Sequence, residues 1–192
     1  MVHYSSDFVF DGTGTRPYTE EDAPAPRSVY GASKLLGDWL ALEHPRAYVL
    51  RVESLFGEPG RAGRRGSLGV IVDKVRRGEE VAVFTDRTVS PSFTTDVARA
   101  TRELLAGDAP AGLYHCVNSG SATWAEIAAE VARVLERPFN MRPLTLATAA
   151  LKAPRPLYCA LSNGKLAGAG VAMPDWRDAL RTYLSPSRTP VG

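Results

Sequence analysis

The chain has 192 residues, 44% of them hydrophobic, so it can bury a core of one domain or one and a half. Its formal net charge of +2 is close to balance and indicates neither a nucleic-acid-binding nor a membrane-binding surface. No apolar run approaches the roughly 18 residues of a membrane span, and the start at Met1 does not resemble a signal peptide, so we expect a cytoplasmic protein.

The first half of the chain alternates apolar runs with one amphipathic segment. The segment from Val2 to Phe10 predicts a strand that is apolar on both faces, as parallel strands buried on both sides are. Ser28 can cap a helix that runs to Glu43, and the next strand is predicted from Tyr48 to Phe56. The helix is expected to bury one apolar face, formed by Leu35, Leu36, Trp39, Leu40 and Leu42.

The second half continues the alternation of helices and strands. Thr123 and Glu126 form a capping box, because each side chain can satisfy a free backbone N–H of the other residue. The predicted helices are Ser67 to Arg77, Thr95 to Ala106, Thr123 to Leu135 and Asp175 to Tyr183, and the predicted strands are Val81 to Phe84 and Leu113 to Val117. This order predicts an α/β fold around a parallel sheet with right-handed crossovers.

Three side chains near the start of the chain have the chemistry of carbonyl reduction. Tyr30 and Lys34 are four residues apart on the predicted helix, so the Lys34 ammonium can lie beneath the Tyr30 phenol. A cation beside a phenol favours the phenolate and makes the phenol a usable proton donor or acceptor near neutrality. Ser6, at the strand end, can hydrogen-bond a substrate carbonyl, with hydride supplied by a nicotinamide. The same Tyr–Lys spacing also fits an amphipathic helix with an exposed lysine.

The surrounding segments carry a family resemblance. These segments, in chain order, are Tyr4 to Gly12, Tyr30 to Lys34, Arg51-Val52, Phe56-Gly57, Asp86 to Ser92, Val117 to Gly120, Leu161 to Leu166 and Pro174 to Trp176. They resemble the dTDP-4-dehydrorhamnose reductase branch of the extended short-chain dehydrogenase/reductases. The resemblance implies a partial Rossmann-like parallel sheet over residues 1–118, a smaller C-terminal α/β substrate region over 119–184, and a disordered tail over 185–192.

The resemblance also implies an activity, the reduction of a 4-keto sugar nucleotide by NADPH or NADH. Tyr30 would be the general acid that protonates the sugar C4 oxygen, Lys34 would tune it and contact the nicotinamide ribose, and Ser6 would orient the carbonyl. Asp7 and Phe8 are candidates for contact with the sugar. Their structural alternatives are a loop cap for Asp7 and core packing for Phe8.

Basic and hydroxyl side chains further along are candidates for the rest of the substrate. Arg65 and Arg87 can bind diphosphate oxygens through two guanidinium donors, or can simply be solvated. Ser90 and Ser92 match the substrate-side bend of the family, and they equally match a Ser-Pro turn that starts a helix.

One glycine-rich loop has the spacing of a dinucleotide-binding turn. It contains Gly60, Gly63 and Gly66, and Asp86 follows at a strand end. Glu58 and the proline after it lengthen the loop beyond a tight strand-to-helix turn, and arginines fill positions that should be compact. Three interpretations remain open: a cofactor turn, a mobile basic loop over a substrate pyrophosphate, and a solvated flexible loop.

Two departures from the family pattern bear on substrate and activity. After Arg51 the family usually has a Ser-Trp pair whose indole lines the sugar pocket, whereas this chain has Val52-Glu53-Ser54-Leu55. The change removes a stacking surface and adds a carboxylate, so a related 4-keto sugar nucleotide and a noncatalytic relative are both alternatives to dTDP-4-dehydrorhamnose reduction. The family's glycine-rich turn, which precedes the Ser6 strand, lies outside these 192 residues. We therefore expect the C-terminal part of a reductase, with weak or absent NAD(P)H binding and impaired catalysis. The alternative is a nonenzymatic sugar-nucleotide-binding or regulatory module.

The expectations for assembly and metal binding depend on the first strand and on the positions of the cysteines and histidines. An apolar strand from Val2 to Phe10 that lacks a neighbour would expose an edge prone to aggregation, so we expect a homo-oligomer that covers it. Cys116 and Cys159 are far apart and are most simply reduced core thiols. The three histidines show no ligand spacing, so no metal site is expected.

Overall fold

A computed structural model of the chain describes residues 1–58, 66–149 and 155–185. The strands of this part of the chain are β1 (Val2–Ser6), β2 (Tyr48–Val52), β3 (Leu55–Phe56), β4 (Val81–Phe84), β5 (Thr88–Val89), β6 (Ser92–Phe93), β7 (Gly112–His115), β8 (Ala122–Thr123) and β9 (Met141–Leu144). The helices are α1 (Val29–Leu42), α2 (Ser67–Arg77), α3 (Thr94–Ala106), α4 (Trp124–Val134), α5 (Gly164–Gly168) and α6 (Trp176–Leu184), and a 3-10 helix spans Asp7–Val9.

The central sheet is parallel and has β2 between β1 and β7. Helix α1 connects β1 to β2, as parallel neighbours require a crossover. Ser6 pairs with Val52 at the last position of the β1–β2 register, so the carboxyl ends of these strands lie side by side. The α/β class and the parallel sheet predicted from the sequence are confirmed.

Two large groups of buried side chains support the fold. One lies on the central sheet and includes Leu50 and Tyr114 from the strands and Leu104 from α3. The other lies around β4, which pairs in parallel with β9, and includes Ile127 from α4 and Trp176 from α6. The division of the chain at residue 118 stays a prediction.

Helix boundaries follow the capping signals in the sequence. The Ser28 hydroxyl accepts the Gly31 N–H at 3.0 Å and begins α1. The Thr123 hydroxyl accepts the Glu126 N–H, while the Glu126 carboxylate accepts the Thr123 N–H, so the predicted capping box is confirmed. Helix α2 ends at Gly78, whose φ of 68° is left-handed and favours glycine.

The first strand is shorter than predicted. It ends at Ser6, where the side-chain oxygen accepts the Phe8 N–H at 3.2 Å and caps the 3-10 helix. The predicted continuation to Phe10 is therefore wrong. A local hydrogen bond from a serine hydroxyl competes with the strand ladder at this point.

The buried face of α1 also differs from the prediction. Leu35 is buried as expected, but Leu36, Trp39 and Leu40 are 53%, 59% and 66% exposed. The helix instead presents a small and polar face to the sheet, formed by Gly31, Leu35, Asp38 and Ala41. A Cβ at Gly31 would lie 2.2 Å from the Phe8 carbonyl oxygen, so this close approach requires glycine.

Three further expectations concern the cysteines, membrane spans and the C-terminal tail. Cys116 and Cys159 are both buried and unbridged, as predicted. None of the described helices is long and apolar enough to cross a membrane. The predicted tail lies outside the described residues from position 186 onward.

Candidate active site

A cleft of about 330 Å³ opens at the carboxyl ends of β1 and β2, where ligands bind in open α/β sheets. Five of the predicted site residues line it: Ser6, Asp7, Phe8, Tyr30 and Arg87. Arg65 and most of the glycine-rich loop lie outside the described residues. The cleft therefore brings together side chains from the start, the first helix and the middle of the chain.

Tyr30 stands on the first turn of α1 and is 55% exposed. Its ring meets the Phe8 ring edge-on, with centroids 5.7 Å apart, which is a favourable aromatic geometry. The phenol is thus held at the rim of the cleft and remains open to a ligand.

Lys34 lies one turn further along α1. Its Nζ donates a hydrogen bond of 2.5 Å to the Tyr4 carbonyl oxygen on β1. This contact ties the helix to the first strand and places the ammonium one helical turn from Tyr30. The effect of Lys34 on the phenol stays a prediction.

Ser6 is buried at the end of β1 and makes two hydrogen bonds. Its hydroxyl lies 2.8 Å from Asp7 Oδ1, to which it donates, and its oxygen accepts the Phe8 N–H. The alternative role for Asp7 was that of a loop cap. The side chain that caps this segment is instead that of Ser6. In this state the Ser6 proton points at a carboxylate.

Behind Ser6 lies a cluster of buried ionisable groups. A carboxyl oxygen of Asp7, one of Glu53 and Cys159 Sγ all lie within 4.8 Å of one another. Burial raises the pKa of Asp7 to about 6. Burial and the charge of Asp7 together raise the pKa of Glu53 well above its usual range. Two carboxyl groups so placed resist ionising together.

Arg87 supplies the positive charge of this cluster and is only 6% exposed. Its Nε donates to the Pro156 carbonyl oxygen at 3.2 Å, and its Nη2 lies 3.5 Å from Cys159 Sγ. The guanidinium carbon is 5.9 Å from the centre of the Phe8 ring. Arg87 is therefore held by contacts on several sides, and it lines the same cleft as the two carboxyl groups.

The group formed by Asp7, Glu53 and Cys159 has the spacing of metal ligands. Burial raises the pKa of the Cys159 thiol, and a metal would need the thiolate. The Arg87 guanidinium beside the thiol would also repel a cation. These observations disfavour a metal at this position, and the expected lack of a metal site stays a prediction.

Ser90 and Ser92 lie inside the protein and are fully buried. The Ser90 N–H donates to Glu53 Oε2, and the Ser90 hydroxyl oxygen accepts the Leu161 N–H at 3.1 Å. The Ser92 hydroxyl donates to the Ser90 carbonyl oxygen at 3.0 Å. Both serines form the wall behind Glu53 and do not line the cleft described above, so their contact with substrate stays a prediction.

The lining residues that were not assigned to the site from the sequence include Glu53, Trp124 and Arg155. The sequence position of Glu53 could have indicated the site, because Glu53 follows β2 and the carboxyl ends of neighbouring parallel strands lie at the same edge of the sheet. Trp124 begins α4, and Arg155 belongs to an irregular segment with no such periodicity.

The cleft continues into a second cavity of about 320 Å³ that is lined by residues of α2 and β4. Four residues border both cavities: Ser67, Arg87, Trp124 and Arg155. The border that the two cavities share therefore contains a tryptophan and two arginines. Arginine side chains at such a border can bind the oxygens of an anionic ligand.

Comparison with known proteins finds relatives that match nearly the whole chain. A Streptomyces antibioticus protein named "Probable dTDP-4,6-dihydroxy-2-methyloxan-3-one 4-ketoreductase" is 39% identical over 186 residues, which cover 94% of this chain and 61% of that protein. Methionine adenosyltransferase 2 subunit beta from Danio rerio is 33% identical over 195 residues, which cover 97% and 60%. The solved structure of Bacillus anthracis dTDP-4-dehydrorhamnose reductase in complex with NADP superposes with a TM-score of 0.86 at 28% identity, over 95% of this chain and 64% of that one.

The chain thus spans about three fifths of the length of these two curated relatives. Its similarity to the Bacillus anthracis structure confirms the Rossmann-like α/β class. The family described as RmlD substrate binding domain matches residues 1–189. A match of that extent shows that the chain belongs to the RmlD substrate-binding domain family, as the order of its motifs predicted.

Proposed function

We propose that the chain supplies the substrate site and the acid–base residues for the NADPH- or NADH-dependent reduction of a 4-keto sugar nucleotide. The observation that carries this proposal is that Ser6, Tyr30 and Arg87 line one cleft at the carboxyl ends of β1 and β2. A hydroxyl, a phenol and a guanidinium are the groups needed to polarise a carbonyl, to protonate it and to hold a phosphate.

The proposed chemistry assigns one task to each residue. A nicotinamide, when bound, supplies the hydride. Tyr30 donates its proton to the carbonyl oxygen as negative charge develops there, and the Ser6 hydroxyl holds that oxygen in place. The fit to a nicotinamide rests on α1, which carries Tyr30 and Lys34 one turn apart, with the phenol open to the cleft.

The second cavity, next to this centre, is the proposed place of the nucleotide. Arg87 and Arg155 border both cavities and can bind diphosphate oxygens, while the Trp124 indole offers a surface for a ring. Asp7 and Phe8 line the end near Tyr30, where the sugar would lie. Glu53 and Ser54 replace the Ser-Trp pair of the family, so we propose a related 4-keto sugar nucleotide as substrate alongside dTDP-4-dehydrorhamnose.

We further propose that the chain by itself binds NADPH weakly and turns over slowly. Within its 192 residues, Tyr30 and Lys34 are the residues assigned to the cofactor, and both belong to the nicotinamide end. The pyrophosphate of a dinucleotide normally binds to a glycine turn at a helix N-terminus. The interpretation of Gly60, Gly63 and Gly66 as such a turn falls mostly outside the described residues.

A second candidate function is a nonenzymatic binding or regulatory module. It is favoured by the similarity to a protein named as a subunit of methionine adenosyltransferase. A scaffold of this kind has no need of a phenol open to the cleft, so loss of Tyr30 would leave its function unchanged. In either case we propose a cytoplasmic protein that forms a homo-oligomer.

Calorimetric titration with dTDP tests the proposed nucleotide site. The chain should bind dTDP, and Arg87→Ala should weaken binding by about tenfold or more, because a charge-assisted contact with the diphosphate is lost. Arg102→Ala is the matched control, since Arg102 is an exposed residue of α3. Equal affinities for all three proteins, or no binding by the wild-type chain, would contradict the proposed function.

A further inference from the structure

The cluster behind Ser6 has more acidic than basic groups. Asp7, Glu53 and Arg87 are each no more than 6% exposed, and the two carboxyl groups approach within 4.8 Å. If both are ionised, one negative charge is left without a partner in a buried place, which is costly. The cluster is neutral when the two carboxyl groups together hold one proton.

The position of that proton decides what Ser6 can do. A serine hydroxyl has one proton and two lone pairs. While Asp7 is ionised, the Ser6 proton goes to Asp7 Oδ1, and one lone pair accepts the Phe8 N–H. No proton is then left for a ligand oxygen. When Asp7 is protonated, its O–H can donate to the second lone pair of Ser6, and the Ser6 proton is free to turn towards the cleft.

We propose that Asp7 and Glu53 share one proton as positioning residues, and that Ser6 donates to a ligand carbonyl only while this proton is on Asp7. The proposal deepens the function given above and rests on it. A ligand can use the Ser6 proton only if the shared proton moves to Asp7, and this move costs free energy. The hydrogen bonds of the two carboxyl groups affect that free energy.

Those hydrogen bonds favour charge on Glu53. Its Oε2 accepts the Ser90 N–H, and its Oε1 lies 2.6 Å from the Ser54 hydroxyl. Asp7 Oδ1 accepts from the Ser6 hydroxyl, and the nearby Cys159 thiol also favours a charge on Asp7, whereas Asp7 Oδ2 makes no hydrogen bond to a described residue. Burial and the charge of Asp7 raise the pKa of Glu53 further than burial raises that of Asp7, so the shared proton lies on Glu53 in the ligand-free cluster. The hydrogen bonds to Glu53 lower the cost of moving that proton to Asp7.

The groups that face Asp7 come from every element packed around it. Glu53 follows β2, Arg87 follows β4, and Cys159 belongs to the segment before α5. Tyr30 of α1 and Arg155 border the same cleft. Arg87 lowers the pKa of both carboxyl groups, yet one guanidinium balances only one of them.

The binding test compares dTDP with dTDP-4-keto-6-deoxyglucose by calorimetry across a series of pH values. The preference for the keto sugar should fall about tenfold per pH unit once the pair loses its proton. Glu53→Gln should move this fall to lower pH, because it removes the carboxyl group that supplies the proton to Asp7 while leaving an acceptor for the Ser90 N–H. Ser6→Ala should weaken the preference and remove its pH dependence. Identical pH profiles for the wild-type chain and Glu53→Gln would overturn the proposal.

A second measurement needs no ligand. Carbon-13 NMR of labelled Asp and Glu carboxyl groups should show one cluster carboxyl still protonated at neutral pH. Glu53→Gln should remove this protonated carboxyl, so that Asp7 is the one cluster carboxyl that titrates. Titration of both groups near their ordinary values of about 4 would refute the shared proton. If dTDP itself does not bind, the proposed function fails, whereas this titration still decides between a shared proton and two ordinary carboxylates.

Discussion

Arg51 on β2 and Asp38 on α1 form a buried ion pair, in which Arg51 Nε lies 3.0 Å from Asp38 Oδ2. The side chains are 3% and 1% exposed. The guanidinium also lies over the Phe10 ring, with its carbon 5.1 Å from the ring centre. This pair fixes the rotation of α1 about its axis, so that Tyr30 opens to the cleft and Trp39 faces outward.

Breaking this pair should destabilise the fold. Asp38→Ala leaves the Arg51 charge buried without its carboxylate and should lower the free energy of unfolding by about 3–5 kcal/mol. Urea denaturation followed by circular dichroism measures the change. Asp108→Ala, at an exposed position after α3, is the control and should shift stability by less than about 0.5 kcal/mol. A similar small shift for Asp38→Ala would show that α1 is held by other contacts.

Removing the Tyr30 hydroxyl should affect turnover far more than binding. In any active form or reconstituted complex, Tyr30→Phe should reduce the rate by roughly 10²-fold or more, as expected for a general acid. The ring contact with Phe8 is kept, so affinity for the sugar nucleotide should stay within a few-fold. Steady-state NADPH oxidation gives both values. Unchanged turnover would exclude Tyr30 as the proton donor and favour the nonenzymatic alternative.

NADPH titration of the chain alone tests its cofactor affinity. Weak binding is expected, because Tyr30 and Lys34 meet only the nicotinamide end of a dinucleotide. Calorimetry with dTDP on the same sample shows that the protein is folded and competent to bind. A dissociation constant in the micromolar range or tighter would contradict this expectation and would support the Gly60, Gly63 and Gly66 loop as a cofactor turn.

The outer face of α1 and the edge of the sheet bear on assembly. Strand β1 lies at the edge of the described central sheet, and Trp39 and Leu40 on the outer face of α1 are more than half exposed. We expect a dimer or larger oligomer that covers these apolar groups. Light scattering during gel filtration gives the mass directly. Trp39→Glu should lower it, whereas Val70→Glu, at a half-exposed position on α2, should not. A monomeric wild-type chain would contradict this prediction.

The sequence predicted those parts of the fold that depend on local signals. Ser28, Thr123 and Gly78 each mark a helix end through a hydrogen bond or a backbone angle formed within a few residues. The buried face of α1 was predicted wrongly. The apolar pattern of the helix is overridden by the close approach at Gly31 and by the ion pair at Asp38. Tertiary contacts, which no local pattern records, decide such a rotation.

For the candidate site, too, local sequence patterns predicted only part of what the structure brings together. Ser6 and Tyr30 were predicted to share a site, and the structure places both in one cleft. The cluster of Asp7, Glu53 and Cys159 joins segments far apart in the chain, so spacing along the sequence carries no sign of it. Glu53 was visible as a departure from the family pattern, but its partners are set by the register of β1 with β2 and by the irregular segment at Cys159.

A crystal structure of the chain with dTDP-4-keto-6-deoxyglucose would test the central claim most directly. The account predicts the sugar between Ser6 and Tyr30, with its C4 oxygen within hydrogen-bond distance of both hydroxyl groups, and the diphosphate against Arg87 and Arg155. Density for the nucleotide at another surface, or a sugar turned away from Tyr30 in the occupied cleft, would contradict it.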